Sequence, residues 1–185
     1  IGFKFIYSCQ KTLRTIDKYF NFMHVLVNKH FLTYKDYKVK CAIGKRGIGK
    51  KRKEGDLITP KGLFRIKKVY FRKDRVKSLK TKISIEPITK NMGWCDDPES
   101  NRYNQLIRYP FRFTSEKLYR NDNIYDIILV LDFNTKPVKK NKGSAIFLHV
   151  AKKNYKPTRG CVAIKKKELK KLLKLISLKT KIKIY

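Results

Sequence analysis

Three histidines and four cysteines occur in the 185 residues. One of each, His149 and Cys161, stand twelve positions apart in the stretch IFLHVAKKNYKPTRGCVAI. A thiolate is the nucleophilic form of cysteine, and a free cysteine is mostly thiol at neutral pH. An adjacent imidazole can take that proton, and nearby Lys and Arg favour the resulting anion. Arg159 stands two residues before the cysteine and is a candidate helper. The competing reading is plain: a cysteine after a glycine also packs in cores, and a histidine at a strand end is also merely solvated.

The flanking residues must position this pair. Alternation along 145–150 puts Ile146, Leu148 and Val150 on one face, and Ala145, Phe147 and His149 on the other. His149 is then expected near the solvent end of its strand. Cys161 opens the next short apolar run, after a polar loop. If the two strands are neighbours, the side chains converge at one rim of a sheet. In PTRGC, Pro157 stiffens the loop exit and Gly160 permits a turn that a side chain would forbid. Such a turn would expose the sulfur and aim the Cys161 and Gly160 N–H groups at one point, as an oxyanion hole requires.

The rest of the chain reads as mostly β. Segments 24–28 and 31–35 suggest a hairpin, and 37–44, 63–71, 125–133, 145–150, 161–164 and 180–185 suggest strands. The run 125–133 is apolar throughout, as expected of a strand covered on both faces. Five glycines make 44–62 a long loop, and 91–107 reads as an irregular loop entering a short helix. One helix is convincing: over 165–177, Leu169, Leu172, Leu173 and Ile176 recur at helical spacing, with Glu168 near the N-terminal end. The fold class is therefore mostly β, a sandwich or open barrel of mixed sheets, with one strong C-terminal amphipathic helix and long loops. Residues 1–22 read as an appendage to a single domain spanning 23–185.

The net charge is +33, from 47 basic residues of which 36 are Lys and 11 Arg. A polyanionic partner is one reading: nucleic acid, an acidic membrane face or an acidic wall polymer. Scattered lysines, poor at bidentate phosphate contacts, favour general surface charge instead. No ribonucleoprotein motif, recognition helix or zinc spacing supports a specific nucleic-acid module. The cysteines (Cys9, Cys41, Cys95, Cys161) lie too far apart for a zinc motif or a dense disulfide framework, and no metal site is expected. No apolar run approaches the roughly 20 residues that span a bilayer.

The stretch GSAIFLHVAKKNYKPTRGCVAI resembles the catalytic segment of the L,D-transpeptidases, the YkuD-like family that cross-links peptidoglycan. Its pattern of a strand-end His, a loop, then Ser or Thr, any residue, Gly and Cys is matched by His149, Thr158, Gly160 and Cys161. Upstream, EGDLITPKGLFRI resembles the family's Thr-Pro-x-Gly strand entry, at Thr59, Pro60 and Gly62. The ordered set runs from about residue 23 to the C-terminus and is more specific than any one motif. Papain-like enzymes place Cys before His, and sortases need an Arg after the Cys, which this chain lacks. Many family members carry a second His before Gly-Cys, where this chain has Arg159; either His149 serves as base or the reaction is impaired.

The resemblance implies acyl transfer without a cofactor. Cys161 attacks the L-to-D bond ahead of the terminal D-alanine of a stem tetrapeptide, and a second stem's amine resolves the thioester. Water in its place gives an L,D-carboxypeptidase. Peptidoglycan stem peptides are the expected partner, and their carboxylates suit a basic surface. Asp96 and Asp97 are candidates to bind an amine or orient His149, with a loop-cap role as the alternative. Trp94, Tyr103 and Tyr155 are candidates for a substrate groove, with core packing the alternative for the first two. The chemistry belongs to the cell envelope or periplasm. The first residues, broken by Lys4, make a poor signal peptide, so a cytoplasmic role on recycled wall peptides is the other expectation.

Overall fold

A computed structural model of the chain describes residues 23–185. The expected appendage, 1–22, lies outside them.

The described chain opens with the expected hairpin, β1 (Val25–Val27) and β2 (Phe31–Tyr34). Asn28 closes it: its side-chain oxygen accepts the N–H groups of His30 and Phe31 at 2.9 and 2.8 Å. Strand β3 (Tyr37–Lys40) follows, then the glycine-rich segment with the short parallel pair β4 (Ile48–Gly49) and β5 (Thr59–Pro60). After it come β6 (Gly62–Phe71), β7 (Ile85–Pro87), β8 (Met92–Cys95), β9 (Leu106–Arg108) and β10 (Ser115–Lys117). The chain ends with β11 (Ile127–Leu131), β12 (Phe147–Val150), β13 (Val162–Ile164), the helix α1 (Lys166–Leu175) and β14 (Lys181–Ile184).

These elements form a mostly β fold with one large mixed sheet, ordered β13-β12-β11-β6-β14-β1-β2-β3, with β7 pairing on β6. A smaller antiparallel sheet, β10-β8-β9, packs beside it. On one face of the large sheet, Leu169, Leu172 and Leu173 of α1 are fully buried against Ile66, Leu129, Leu148 and Val162. Each such leucine contributes on the order of 2 kcal/mol by leaving water. On the other face Ile128, Val130 and Phe147 meet Met92, Trp94, Leu118 and Tyr125. All five residues of β11 are buried, as its unbroken apolar sequence implies. Glu168, in the first turn of α1, accepts the Tyr37 hydroxyl and so ties β3 to the helix. No helix among the described residues is long and apolar enough to cross a membrane.

Two expectations are corrected. Segment 91–107 holds no helix; it is the β8–β9 hairpin, with Gly93 opposite Ile107 and Trp94 opposite Leu106. Its turn formers close a hairpin loop, where Asn104 sits at φ +58 and accepts the Trp94 indole N–H at 3.0 Å. His149 does not stand at a solvated rim. It is 5 % exposed, and the Tyr125 ring packs T-shaped on the imidazole with centroids 5.4 Å apart.

Candidate active site

Alternation along β12 is as read from the sequence: Ile146, Leu148 and Val150 enter the helix-side core, while Phe147 enters the other. Strands β12 and β13 are parallel neighbours, with Leu148 opposite Val162 and His149 opposite Ala163. Cys161 therefore enters β13 one step before that pairing begins.

The bend before Cys161 is held by Thr158. Its hydroxyl donates to the Cys161 carbonyl at 2.6 Å and accepts the Gly160 N–H at 3.1 Å. That N–H is thereby engaged within the turn in this conformation. Gly160 has φ +143, and a Cβ there would lie 3.0 Å from the Ile58 carbonyl oxygen. The Thr158 N–H donates to the Ile43 carbonyl at 2.9 Å, pinning the turn to the chain after β3. Thr59, fully buried, accepts the Gly44 N–H at 2.7 Å, so the Thr-Pro motif braces the same corner.

The Cys161 thiol donates to the Ala145 carbonyl at 3.2 Å, and its sulfur accepts the Phe147 N–H at 3.3 Å. The imidazole is not among its hydrogen-bond partners in the described residues. Ala145 stands at φ +38, where non-glycine residues are uncommon. The buried Asn104 holds it there: its side-chain oxygen accepts the Ala145 N–H at 2.9 Å, while its NH2 donates to the Phe133 and Asn134 carbonyls at 3.0 and 2.7 Å. His149 Nδ1 lies 2.9 Å from the Val150 carbonyl oxygen. A carbonyl can only accept, so Nδ1 carries the proton and Nε2 keeps a basic lone pair.

Electrostatics place the resting pair in its neutral form. Burial pushes the Cys161 thiol up to about 12; the Phe147 N–H pulls the other way, Glu116 adds to the rise and Lys51 opposes it. Burial also pushes His149 down to about 4, against the opposing pull of the Val150 and Ile124 backbone groups.

Both residues line a cavity of about 240 Å³, together with Lys51, Glu54, Asp96, Glu116, Arg120, Tyr125 and Arg159. Lys51 makes a buried 2.6 Å ion pair with Asp56. Burial pushes Asp56 up, but Lys51 and the Arg52 and Ile58 amides outweigh it and hold the carboxyl at about 2. Across the cavity, the Tyr125 hydroxyl donates to Glu116 Oε1 at 2.8 Å.

The other candidates from sequence divide. Asp96 lines the cavity and accepts the Thr114 hydroxyl at 3.0 Å; Asp97 caps turns, accepting the Glu99 and Thr114 N–H groups at 3.0 and 3.2 Å. Arg159 is an exposed part of the cavity rim. Trp94 packs behind the cavity with its ring edge-on to Phe147 at 5.2 Å. Tyr103 is buried and donates to Glu54 at 2.5 Å, so it supports a lining residue from outside. Tyr155 lies away from the cavity, with Lys40 and Lys165 over its ring at 5.2 and 5.9 Å. Sequence reading passed over Lys51, Asn104, Glu116 and Tyr125. Only Tyr125 carried a signal, as the polar-tipped aromatic two residues before the strand that pairs with β12.

Among the described residues, no group of three or more His, Cys, Asp or Glu side chains could hold a metal ion. No curated protein matches the chain. A solved structure titled "Structure of Bdellovibrio bacteriovorus Bd1075" aligns over 91% of this chain and 49% of its own, at 16% identity and a TM-score of 0.48. The present chain thus spans about half the length of that one. A family model of the L,D-transpeptidase catalytic domain matches residues 21–184, which take in the Thr59 brace, the His149 strand and the Cys161 bend alike. The chain belongs to the L,D-transpeptidase (YkuD) catalytic-domain family.

Proposed function

We propose that the cavity carries cysteine-dependent acyl transfer on peptidoglycan stem peptides. The observation that carries the reading is the shared cavity wall: Cys161 and His149 both line it, and the Val150 carbonyl fixes the imidazole with Nε2 as acceptor. In acylation the thiol turns from the Ala145 carbonyl to His149 Nε2 and loses its proton as sulfur attacks the peptide carbonyl ahead of D-alanine. The Cys161 N–H is assigned to the developing oxyanion, since the Gly160 N–H is engaged by Thr158. His149 returns the proton to the departing amine, D-alanine leaves and a thioester remains. A second stem's amine or water then resolves it, giving a cross-link or an L,D-carboxypeptidase product. Lys152, Lys156 and Arg159 on the cavity wall suit the carboxylates of stem peptides. The reaction places the protein at the cell envelope.

A second reading, a wall-binding homologue without turnover, is favoured by one observation: the thiol is hydrogen-bonded to a carbonyl and not to the imidazole. A thiol-directed carbapenem separates the two. The enzyme reading expects a whole-protein mass increase of one adduct, mapped to Cys161 and absent in Cys161→Ala. Folded protein without an adduct supports the binding-only homologue.

A further inference from the structure

The acyl-transfer reading leaves one proton without a carrier. An acceptor amine enters water as an ammonium with three N–H protons. The amide product keeps one. His149 takes a second from the attacking nitrogen and delivers it to the departing thiolate. The third must leave before the nitrogen lone pair can attack, and His149 is then needed free for its own step.

We propose that Glu116 is the base for this third proton, acting on a primary ammonium group that enters the cavity to resolve the thioester. The inference rests on the acyl-transfer reading above. Glu116 projects from β10 into the cavity that Cys161 and His149 line. Its Oε1 accepts the Tyr125 hydroxyl at 2.8 Å, while Oε2 takes no hydrogen bond among the described residues. No buried side-chain oxygen among them lacks a partner, so Oε2 is accessible from the cavity. Glu54, another carboxylate of the wall, is already engaged by the Tyr103 hydroxyl and the Gly55 N–H. Tyr125 also packs T-shaped on the His149 ring, centroids 5.4 Å apart, so one buried side chain contacts both proton acceptors.

The electrostatics agree with this geometry. Burial raises the Glu116 carboxyl and the neighbouring Asp96 carboxylate adds to the rise, opposed by the Tyr125 hydroxyl and by Arg120 and Arg159; the net rise moves it toward the range of a working base. Burial, then Glu116, keeps the Tyr125 phenol well above its usual range, so it remains a neutral donor. Glu116 is near enough to the sulfur to push the thiol upward.

The step balances. The ammonium gives one proton to Glu116 Oε2 and the neutral nitrogen attacks the thioester carbon. The new C–N bond forms, a second N–H proton passes to His149, and the C–S bond breaks. The sulfur takes the proton back from His149 and Glu116 releases its own to water. Hydrolysis of the same thioester needs only His149.

The test is the partition of one acyl-enzyme between two fates. A synthetic stem tetrapeptide ending in D-alanine is the donor, and a heavy-isotope-labelled stem tripeptide with a free side-chain amine is the acceptor, so that unlabelled tripeptide arises only by hydrolysis. Cross-linked dimer and hydrolysed tripeptide are counted by mass spectrometry in the same reaction. The ratio of the two is independent of how fast the acyl-enzyme forms. Glu116→Gln, which preserves shape and the Tyr125 contact, is expected to lower the dimer-to-hydrolysis ratio by about 10²-fold, the usual scale of a lost general base. Glu116→Asp, which keeps the carboxylate, is expected to retain a larger share of dimer than Glu116→Gln. An unchanged ratio in Glu116→Gln, with acyl-enzyme present, overturns this assignment alone. Failure of the unsubstituted protein to form any acyl-enzyme overturns the acyl-transfer reading and the assignment with it.

Discussion

The ionisation of Cys161 can be tested by raising the pH over free protein and following alkylation by iodoacetamide. With the thiol at about 12, the thiolate fraction at pH 7 is about 10⁻⁵. An ordinary cysteine near 8.5 has a fraction of roughly 3 × 10⁻² at that pH, about 3,000-fold more. A more basic thiolate is also the better nucleophile; with a slope near 0.45 over about 3.5 pKa units, this returns a factor of roughly 40. Cys161 is therefore expected to react about a hundredfold more slowly than a free cysteine at pH 7, and to gain about tenfold per unit up to at least pH 10. Peptide mapping separates it from Cys41, which burial also pushes up to about 12. A plateau in the Cys161 rate below pH 8 would mean a thiolate–imidazolium pair already present in the free protein. That result would refute the argument that burial keeps both partners neutral until substrate arrives.

Gly160→Ala places a methyl group 3.0 Å from the Ile58 carbonyl oxygen at φ +143, and strain of this kind costs on the order of 1–3 kcal/mol. The melting midpoint should fall by about 5 °C, and Cys161 adduct formation should slow more than stability alone requires. His149 makes a pH-dependent contribution to stability: its folded value of about 4 lies below the ordinary 6.5, so the unfolded chain binds more protons between them. The contribution is complete above pH 6.5 and is lost as pH falls through 4, amounting to about 3 kcal/mol. Urea titrations at pH 7 and pH 4 should show that loss in the unsubstituted protein and a smaller one in His149→Gln.

Periodicity carried the parts of the fold in which one face is buried. The leucines of α1, the alternation along β12 and the unbroken apolar run of β11 each followed from the side that packs. The β8–β9 hairpin was missed because its signal lies in tertiary contacts. Met92, Trp94 and Cys95 are all buried, so no alternation marks the strand, and the turn residues that close it also resemble a helix entry. In the site, Cys161, Gly160 and Thr158 are one local turn and could be read from five consecutive letters. Glu116 lies on β10 and Tyr125 in the turn before β11, and they meet only when the small sheet packs on the large one. Lys51 comes from the glycine-rich loop, one lysine among 36, and only its buried pairing with Asp56 sets it apart. The ionisation state was also out of reach, because it depends on how deeply both groups are covered.

The central claim is tested most directly by incubating the protein with a stem tetrapeptide ending in D-alanine, quenching in acid and weighing the intact chain. The expected result is a thioester adduct lacking the terminal D-alanine, located on Cys161, with free D-alanine released in step, and neither product in Cys161→Ala. Release of D-alanine by Cys161→Ala at the unsubstituted rate, or an acyl group found on any other residue, would contradict it.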